Sequence, residues 1–590
     1  MVRKFSAQHL TGATGLLLFL VCLVYFLEQV DTSLIYFWQQ TIALPFPEYV
    51  RYPGGISDLI AIYFIELLSS PGGGVVAILI LTGILFFSLD LVFRKFQKEP
   101  FYYVILIAGL IPYVILFSCY RLPAGKIISL SVALIISALI TRYEPGNRIM
   151  AAVLHFISGI LVYMVAGSGG LIILVVVLII MNLISANYTF LPTFIILFAI
   201  PLLYLPFNTA YRLKEAYLNS FMISRYDEMP LLFYISLFST VIIYLVFTGL
   251  KWIKGNRTPR RPSLLQVTGM TVVLLVFFFS SRAAVNEPDR KLYRMAEAGL
   301  EKDWDTILEL TEGEYYINKL FQFEVNRALY GKGKLLENLF LVPQPYAEKS
   351  IFLEENAASH VAIHLSDFYY DLGYATEARH WANEAQVTFM RHPVVLKHLV
   401  MTYLAFGDTA AAGKYLIILS KSRLYRDWAE KIQKMIDENN YKENSDIQSF
   451  LINDPKVDFF ASTRQPTAKL MTFYSTNPDN NMAFEFLAAS YLLQHQIGNL
   501  MLLLPEFRRF GYERLPRTVE EAIMIYLVNA KDQKVSLAGY GISKTTQDNF
   551  REFNRLLAGS SERSVRIQKV SAFEKTYWYY ILFSSPYAQK

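Results

Sequence analysis

The first 280 residues of the chain contain long runs of apolar positions, separated by short polar or basic stretches. A helix needs about 17 to 25 predominantly apolar residues to cross roughly 30 Å of hydrocarbon. The pattern therefore predicts about nine membrane spans. They lie near residues 11–28, 75–93, 101–119, 127–141, 150–166, 170–187, 190–206, 230–250 and 264–281.

The pattern changes after about Asn286. Short amphipathic segments alternate with Gly, Asn, Asp and Pro, and strand-like alternation of apolar and polar residues is missing. We therefore predict an all-α fold with two domains. Residues 1–282 form a polytopic helical membrane domain, and residues 283–590 form a water-soluble helical domain.

One internal repeat stands out in the soluble half. The segment DLGYATEA around Gly373 recurs 34 residues later as AFGDTAAA around Gly407, with Ala378 and Ala412 at matching places. This period and this placement of small residues resemble the tetratricopeptide repeat. The segment HQIGNLMLLLPEF near Gly498 is a more divergent candidate unit. Such a helical solenoid would bind a protein or peptide partner, and the alternative is that the stacked helices only cap the membrane domain.

Composition narrows the function classes. Hydrophobic residues make up 54% of the chain and charged residues 18%, and most of this skew lies before Arg282. The net charge of +6 is small, and no basic tract with interleaved aromatic residues suggests a nucleic-acid partner. The two cysteines, Cys22 and Cys119, lie in or beside apolar runs, which excludes a disulfide framework and a cysteine metal site.

Basic residues in the connecting segments predict the orientation of the spans, because cytoplasmic loops are enriched in Lys and Arg. With the N-terminus inside, the inner segments carry twelve Lys and Arg residues and the outer ones before the soluble domain carry six. We therefore expect a multi-pass protein of the inner (plasma) membrane with a cytoplasmic N-terminus. Nine spans then place the C-terminal domain outside the cytoplasm.

The outer loop of residues 29–74 holds the most informative polar residues. Glu28, Asp31 and Asp58 lie close to the predicted membrane boundary, among many aromatic residues. Aromatic residues suit an interfacial segment. Acidic residues at the membrane boundary are candidates for function.

The order of features in this region resembles the GT-C superfamily of membrane glycosyltransferases. In that family the first helix ends at an Asp, and a Tyr-Pro-Pro-Gly-like segment, an apolar helix and a Ser-Pro break follow. Here Asp31 stands at the first place, followed by RYPGGISDLIAIYFIELL and SSPGGGVVAIL. The next hairpin, with Tyr120-Arg121, is similar to that family's second outer turn. Two positions depart from the family pattern, since Thr32 replaces a second acid and Gly54 replaces the second Pro.

The resemblance implies an enzyme that transfers a sugar from a polyprenyl-phosphate carrier to a protein or glycan on the outer face. Asp31 is the first candidate for the catalytic base or a ligand of a divalent cation, and Glu28 and Asp58 are the second candidates. Cations would neutralise the departing lipid phosphate. The candidate substrate-binding residues are Tyr52, Tyr120, Arg121, Lys126, Arg212, Lys214 and Arg225.

Each of these candidates has a structural alternative. Asp31 could cap the helix that begins at Thr32. Arg121 and Lys126 could anchor the chain at the lipid headgroups. The three basic residues after the seventh span could pair with neighbouring acids, namely Glu215, Asp227 and Glu228. The eight His residues form no HExxH motif or tight cluster, so a His-based zinc site is not expected.

Two other functions compete with glycosyl transfer. The chain could be a membrane-anchored scaffold whose repeat domain recruits envelope proteins, although nine spans are more than an anchor needs. It could also be a transporter, but the spans hold few charges, of which Asp90 is the clearest. The pattern of an inverted pair of broken helices is also missing.

Overall fold

The computed structural model describes most of the chain. The described residues are 7–99, 101–120, 122–143, 145–185, 190–207, 212–221, 230–254, 262–311, 318–353, 359–457, 459, 465–530, 536–559 and 562–588. Within these ranges the structure is helical and contains no strand, so the predicted all-α class is confirmed. The chain divides into an N-terminal unit, Met1–Arg290, and a C-terminal unit, Lys291–Lys590. The predicted division lay at residues 282 and 283.

The N-terminal unit is built from long apolar helices joined by short ones. Its α-helices are α1 (Ala7–Val30), α2 (Thr32–Gln39), α3 (Phe46–Tyr49), α4 (Gly55–Leu67), α5 (Pro71–Phe93), α6 (Tyr102–Ile115), α7 (Ala124–Arg142), α8 (Arg148–Ser185), α9 (Phe190–Tyr204), α10 (Leu213–Leu218), α11 (Leu231–Leu237), α12 (Ser239–Lys254) and α13 (Pro262–Ala284). Short 3-10 helices follow several of them at Arg94–Phe96, Leu116–Ser118, Leu205–Phe207 and Asn219–Phe221.

Several of these helices suit a lipid bilayer. Among the described residues, five are long and apolar enough to cross a membrane, and a sixth is added if the bent pair α11 and α12 is one span. Large apolar side chains on the outer helices remain exposed, for example Leu17 on α1, Phe87 on α5 and Phe279 on α13. Such a surface is expected where lipid, not water, surrounds a protein. The chain therefore has the pattern of a polytopic membrane protein.

Helix α8 is a hairpin of two antiparallel halves that reverses at Gly167. This glycine has φ 70° and ψ −166°, a backbone region that is essentially open only to glycine. A Cβ on Gly159 would lie 3.7 Å from Leu171 Cδ1. In a continuous helix these residues would be about 18 Å apart. The predicted stretches 150–166 and 170–187 are therefore separate helices, and one residue joins them.

Many helix ends meet at one end of the N-terminal unit, which we call the polar end (residues 28–58, 120, 122–126, 164–169 and 216–220). Hydrogen bonds join Tyr120 to the Val30 carbonyl, the Ala124 N–H to Gln39, the Gly54 N–H to the Met164 carbonyl, Tyr204 to the Arg51 carbonyl and Arg290 to the Gln29 carbonyl. Segments that are far apart in sequence thus share one layer. The N-terminal unit also ends here, because Arg290 is its last residue.

The C-terminal unit consists of shorter helices. The first, α14 (Glu287–Glu301), begins just before the unit boundary. The others are α15 (Trp304–Glu309), α16 (Lys319–Gly331), α17 (Leu335–Asn338), α18 (Ser359–Asp371), α19 (Ala375–Phe389), α20 (Pro393–Ala405), α21 (Thr409–Leu419), α22 (Arg426–Asp437), α23 (Ser445–Asn453), α24 (Pro466–Thr476), α25 (Asn481–Leu493), α26 (Ile497–Leu503), α27 (Arg517–Ala530), α28 (Lys544–Ala558), α29 (Arg563–Lys569) and α30 (Tyr577–Tyr579). The core helix is α25, whose residues 482–493 are all buried.

One type of turn recurs through this unit. At the end of a helix a residue adopts a positive φ, and the next N–H bonds back to the carbonyl five residues earlier, which is the Schellman arrangement. The N–H of Tyr374 donates to the Tyr369 carbonyl, and that of Asp408 to the Tyr403 carbonyl, at 2.8 and 2.9 Å. Within the described chain the turn occurs at Lys302, Gly333, Gly373, Gly407, Asn439, His495 and Gly511.

Candidate functional site

Asn219 joins four parts of the polar end. Its side-chain amide donates to the Pro53 carbonyl at 2.8 Å, and its Oδ1 accepts from the N–H and the hydroxyl of Ser168 at 3.0 and 2.7 Å. Its backbone carbonyl accepts from Lys126 Nζ at 2.9 Å. The second half of α8 therefore begins with its first N–H groups bound by side chains, as the N-terminus of a helix requires. Asn219 fixes Lys126 in the same layer.

Asp58 lies beside Lys126 at the start of α7. The Tyr52 hydroxyl donates to Asp58 Oδ2 at 3.0 Å, and Asp58 Oδ1 packs on Gly125. Burial raises the pKa of Asp58, and the charge of Lys126 and the bond from Tyr52 oppose this rise. The predicted residues Asp58, Tyr52 and Lys126 are thus neighbours. Together they form a half-buried group of an acid, a cation and a tyrosine at the polar end.

Asp31 occupies the junction between α1 and α2 with a left-handed backbone, φ 56°. The interpretation of its side chain as a helix cap is wrong: α2, whose residues are all described, receives no capping hydrogen bond from it. Instead Asp31 Oδ1 accepts from the Ser33 hydroxyl at 2.5 Å. A positive φ is tolerated by Asp better than by most residues. The carboxylate thus bonds a side chain of the first turn of α2 and none of its backbone N–H groups.

Tyr120 is the neighbour of Asp31 on the next outer segment. Its hydroxyl donates to the Val30 carbonyl. Burial raises the pKa of Tyr120, and the charge of Asp31 raises it further. The Gln39 side chain holds the segment in place, since its amide donates to the carbonyls of Tyr120 and Leu122 at 3.0 Å each and its carbonyl accepts from Ala124 N–H at 2.7 Å. The loop acid and the Tyr120 turn are therefore one connected structure.

The remaining residues predicted from the sequence belong to neither of these two groups. Glu28 is exposed on α1. Arg212 and Lys214 are exposed at the start of α10, and Glu215 accepts a hydrogen bond from the Arg212 backbone N–H at 2.8 Å. Arg121 and Arg225 lie outside the described residues. The polar end thus assembles two groups, Asp31 with Tyr120 and Asp58 with Tyr52 and Lys126.

A buried network of charges in the C-terminal unit was not predicted. Arg327 is 1% exposed, and its guanidinium contacts Glu324 at 3.1 Å, Asp371 at 3.0 Å and Asp367. Lys302 Nζ contacts the second oxygen of Asp371 at 2.6 Å. The sequence held a signal: Glu324 and Arg327 are three residues apart among the apolar residues of α16, and charges buried there need partners.

Two cavities lie in the C-terminal unit. One, of about 270 Å³, borders this network and is lined among others by Lys302, Trp304 and Arg327. The other, of about 530 Å³, includes Glu521 in its wall. Burial raises the pKa of Glu521 to about 7, although the Tyr577 N–H donates to it at 2.7 Å. The larger volume is within the range of small-ligand sites, roughly 300–1,000 Å³, and the smaller one lies just below it.

Metal ligands are not grouped in the described part of the chain. No three His, Cys, Asp or Glu side chains there lie close enough together to hold an ion.

Comparison with known protein families gives one match, which covers residues 6–584. It is described as a family of unknown function, DUF6057. The chain belongs to this family. Since the match spans both the membrane helices and the C-terminal helices, the DUF6057 architecture includes the two units together. No curated protein and no solved structure matches the chain.

Proposed function

We propose that this DUF6057 protein is a membrane glycosyltransferase that uses a polyprenyl-phosphate-linked sugar on the outer face of the membrane. The observation that supports this best is the assembly of the polar end. The loop between α1 and α5 folds into three short helices that hold Asp31 beside Tyr120 and Asp58 beside Lys126. A base and a cation at the membrane boundary are the groups that sugar transfer from a lipid phosphate needs.

The two acids are suited to different roles. Asp31 is partly exposed and bonded by Ser33, so it can accept a proton from an acceptor hydroxyl. Asp58 is in contact with α7, and its charge favours the ammonium form of Lys126, which Asn219 holds in place. The ammonium of Lys126 would attract the phosphate of the carrier lipid as a point charge. Arg121, next to Tyr120 in sequence, would add a second cation.

The positions of the helix ends at the polar end support a membrane topology. Nine crossing helices, with the halves of α8 counted separately, would bring the chain to the polar end as it enters the C-terminal unit. The excess of Lys and Arg in the opposite connections supports a polar end that lies outside. In this arrangement the C-terminal unit is extracytoplasmic. Its recurrent helical hairpins, at Gly373 and Gly407 above all, support a tetratricopeptide-like class.

The test is complementation with a loss-of-base variant. In a strain of the source organism that lacks the gene, envelope glycans and glycoproteins are compared by mass spectrometry after expression of each variant. Asp31→Asn should abolish the product that the wild type restores, at equal protein level in the membrane. Glu48→Gln, a change of an exposed acid in the same loop, should restore it fully. Full restoration by Asp31→Asn would exclude Asp31 as the base.

A scaffold function is the second candidate, and the recurrent hairpins of the C-terminal unit favour it. Stacked helical hairpins offer extended surfaces to protein partners. The discriminating chimera joins residues 291–590 to a single unrelated membrane span. Restored function in the deletion strain would favour the scaffold over the enzyme, since the polar end is then missing.

A further inference from the structure

The cavity of about 530 Å³ in the C-terminal unit lies where α17, α27, α28 and α30 begin. The segments just before these helices complete its wall. Apolar surface comes from Leu336, Leu515 and Pro516. Sites for small molecules typically combine such surface with a few polar groups that select the ligand. The charged and polar groups of this wall therefore indicate what the cavity binds.

Two cations on the wall make no hydrogen bond or ion pair with the described residues. They are Lys334, in the turn before α17, and Arg514, in the segment before α27. Both residues are exposed, so a ligand in the cavity can reach their charged groups. The third cation of the wall, Arg517, is engaged, because its Nη2 donates to the Lys575 carbonyl at 3.1 Å. The charges that are left for a ligand are thus positive.

The acids of the same wall are bonded within the protein. Glu520 accepts from the N–H and the hydroxyl of Ser543 at 3.1 and 2.6 Å, and from the Thr546 hydroxyl at 2.6 Å. Glu337 accepts from the Arg517 N–H at 2.8 Å. These bonds satisfy donors at the starts of α28 and α27, as helix N-termini require. The two acids therefore have a structural role.

Glu521 is the third acid of the wall. It accepts from the Tyr577 N–H at 2.7 Å, and its side chain is only 3% exposed. Burial raises the pKa of Glu521 to about 7, so this side chain is partly neutral at neutral pH. The wall thus balances three cations with three acids, one of which is only partly charged. It does not repel an anion that pairs with the two free cations.

Two neutral polar groups on the wall are also free to bind. Thr545 and Asn549 line the cavity, are exposed and make no side-chain hydrogen bond with the described residues. They are four residues apart on α28 and so share one face of that helix. A hydroxyl and an amide can each donate and accept hydrogen bonds. They suit a ligand that carries hydroxyl or amide groups beside its charge.

We propose that this cavity binds a small organic anion. The carboxylate or phosphate group of the ligand pairs with Lys334 and with Arg514, whose planar guanidinium can contact two oxygens at once. Polar groups of the same molecule bond Thr545 and Asn549. The inference goes beyond the proposed glycosyl transfer and does not rest on it, since no residue of this wall belongs to the polar end.

The experiment uses the full chain in nanodiscs of phosphatidylcholine, whose headgroup has no net charge. Saturation-transfer NMR titrations at low ionic strength compare glucuronate, glucose 6-phosphate and glucose. The three probes share one ring and differ in the group at C6. At least one of the two anions should bind about tenfold or more tightly than glucose. Tighter binding of glucuronate would identify a carboxylate as the ligand group, and tighter binding of glucose 6-phosphate a phosphate.

Lys334→Gln and Arg514→Gln should each weaken binding of the anion about three- to tenfold. This lies between the effect of an exposed ion pair and that of a hydrogen bond to a charged group. Both side chains lack partners in the described chain, so the melting temperature should not change. The matched controls are Lys431→Gln and Arg423→Gln, which remove the same charge from exposed residues outside the wall. They should bind the anion as the wild type does.

Three results would overturn the inference. The first is that neither anion receives saturation. The second is that glucose binds as tightly as both anions, because the free cations then select nothing. The third is that the two cavity variants bind the anion as tightly as their two controls, since the contact would then lie elsewhere on the protein.

Discussion

Asp58 packs on Gly125 so closely that a Cβ on the glycine would lie 2.4 Å from Asp58 Oδ1. The contact allows the carboxylate to lie against the first turn of α7, beside Lys126. A side chain at residue 125 would force the Asp58 carboxylate to move. The acid–cation pair of the polar end therefore depends on a residue that has no chemistry of its own.

Gly125→Ala is expected to lower both thermal stability and transfer activity. Overpacking a filled site costs about 1–3 kcal/mol, and here the displaced group is a functional candidate. The melting temperature of the purified protein and the product measured in complemented cells report the two effects. Gly83→Ala is the control, since nothing lies within 4 Å of a Cβ on that glycine of α5. Equal melting temperatures and equal amounts of product in the two variants would contradict the proposed contact.

Arg327→Met is expected to destabilise the C-terminal unit strongly. Removing the guanidinium leaves Glu324, Asp367 and Asp371 buried without their main counter-charge, which typically costs about 3–5 kcal/mol. Urea unfolding, followed by tryptophan fluorescence, measures the loss. Arg551→Met removes a surface ion pair with Asp548. The side chains of Arg551 and Asp548 are 73% and 53% exposed. This control should change stability by less than about 0.5 kcal/mol. Similar losses in both would mean that the buried network is not a stabilising unit.

Glu521→Gln is expected to gain stability relative to the wild type as the pH rises from 5 to 8. Burial raises the pKa of Glu521 from 4.5 to about 7, so the folded protein holds a proton where the unfolded chain has lost it. The stabilisation of the folded wild type by this proton is complete below the pKa of Glu521 in the unfolded chain. It is lost as the pH rises through 7. Glutamine stays neutral throughout. The measurement is the difference between the melting temperatures of variant and wild type at each pH.

The control for this pH dependence is Glu552→Gln. The Arg555 partner lowers the pKa of the exposed Glu552, so this side chain is ionised in both states between pH 5 and 8. The difference between the melting temperatures of Glu552→Gln and the wild type should therefore stay constant from pH 5 to 8. If the difference in melting temperature between Glu521→Gln and the wild type were also constant from pH 5 to 8, Glu521 would be ionised in the folded protein.

Gly373→Ala should be more destabilising than Gly407→Ala, although both glycines hold the same place in the repeat. Both have a positive φ, 82° and 78°, which costs an L-residue about 1–2 kcal/mol. At Gly373 a Cβ would also lie 2.3 Å from the backbone carbon of Asn453. At Gly407 only the Tyr441 hydroxyl, at 3.8 Å, is near. Chemical unfolding measures the free energy of unfolding of each variant. A larger loss in Gly407→Ala than in Gly373→Ala would contradict this packing.

The sequence predicted the helical class and the places of the apolar helices because long apolar runs have few other structures available. All nine predicted stretches coincide with helices, including the two halves of α8. Whether each one crosses a bilayer stays a prediction, since length and apolarity alone select five or six.

The polar end was only partly predictable. Asp58 and Tyr52 are six residues apart, and local sequence sufficed to single out both. Asn219 lies 93 residues from Lys126, and no local pattern indicates that the two are bonded. Long-range hydrogen bonds of this kind depend on the packing of whole helices. The sequence therefore identified the acids of the site but not the residue that joins its parts.

The sequence analysis found fewer hairpin turns in the C-terminal unit than the structure shows, and the reason is a different one. Glycine marks the turn at Gly373 and Gly407, and the prediction relied on it. The same backbone conformation is adopted by Lys302, Asn439 and His495, which bear the strain of a positive φ. A search for glycine thus finds only some of the turns.

The reversal at Gly167 has a consequence for how the protein enters the membrane. With one residue between the two halves of α8, no charged loop stands between them to set the direction of either. In the proposed topology both halves are inserted as a pair, and Arg142 and Arg148, which precede them, set their direction. A fusion reporter placed after the first half alone would therefore separate two helices that this topology inserts together.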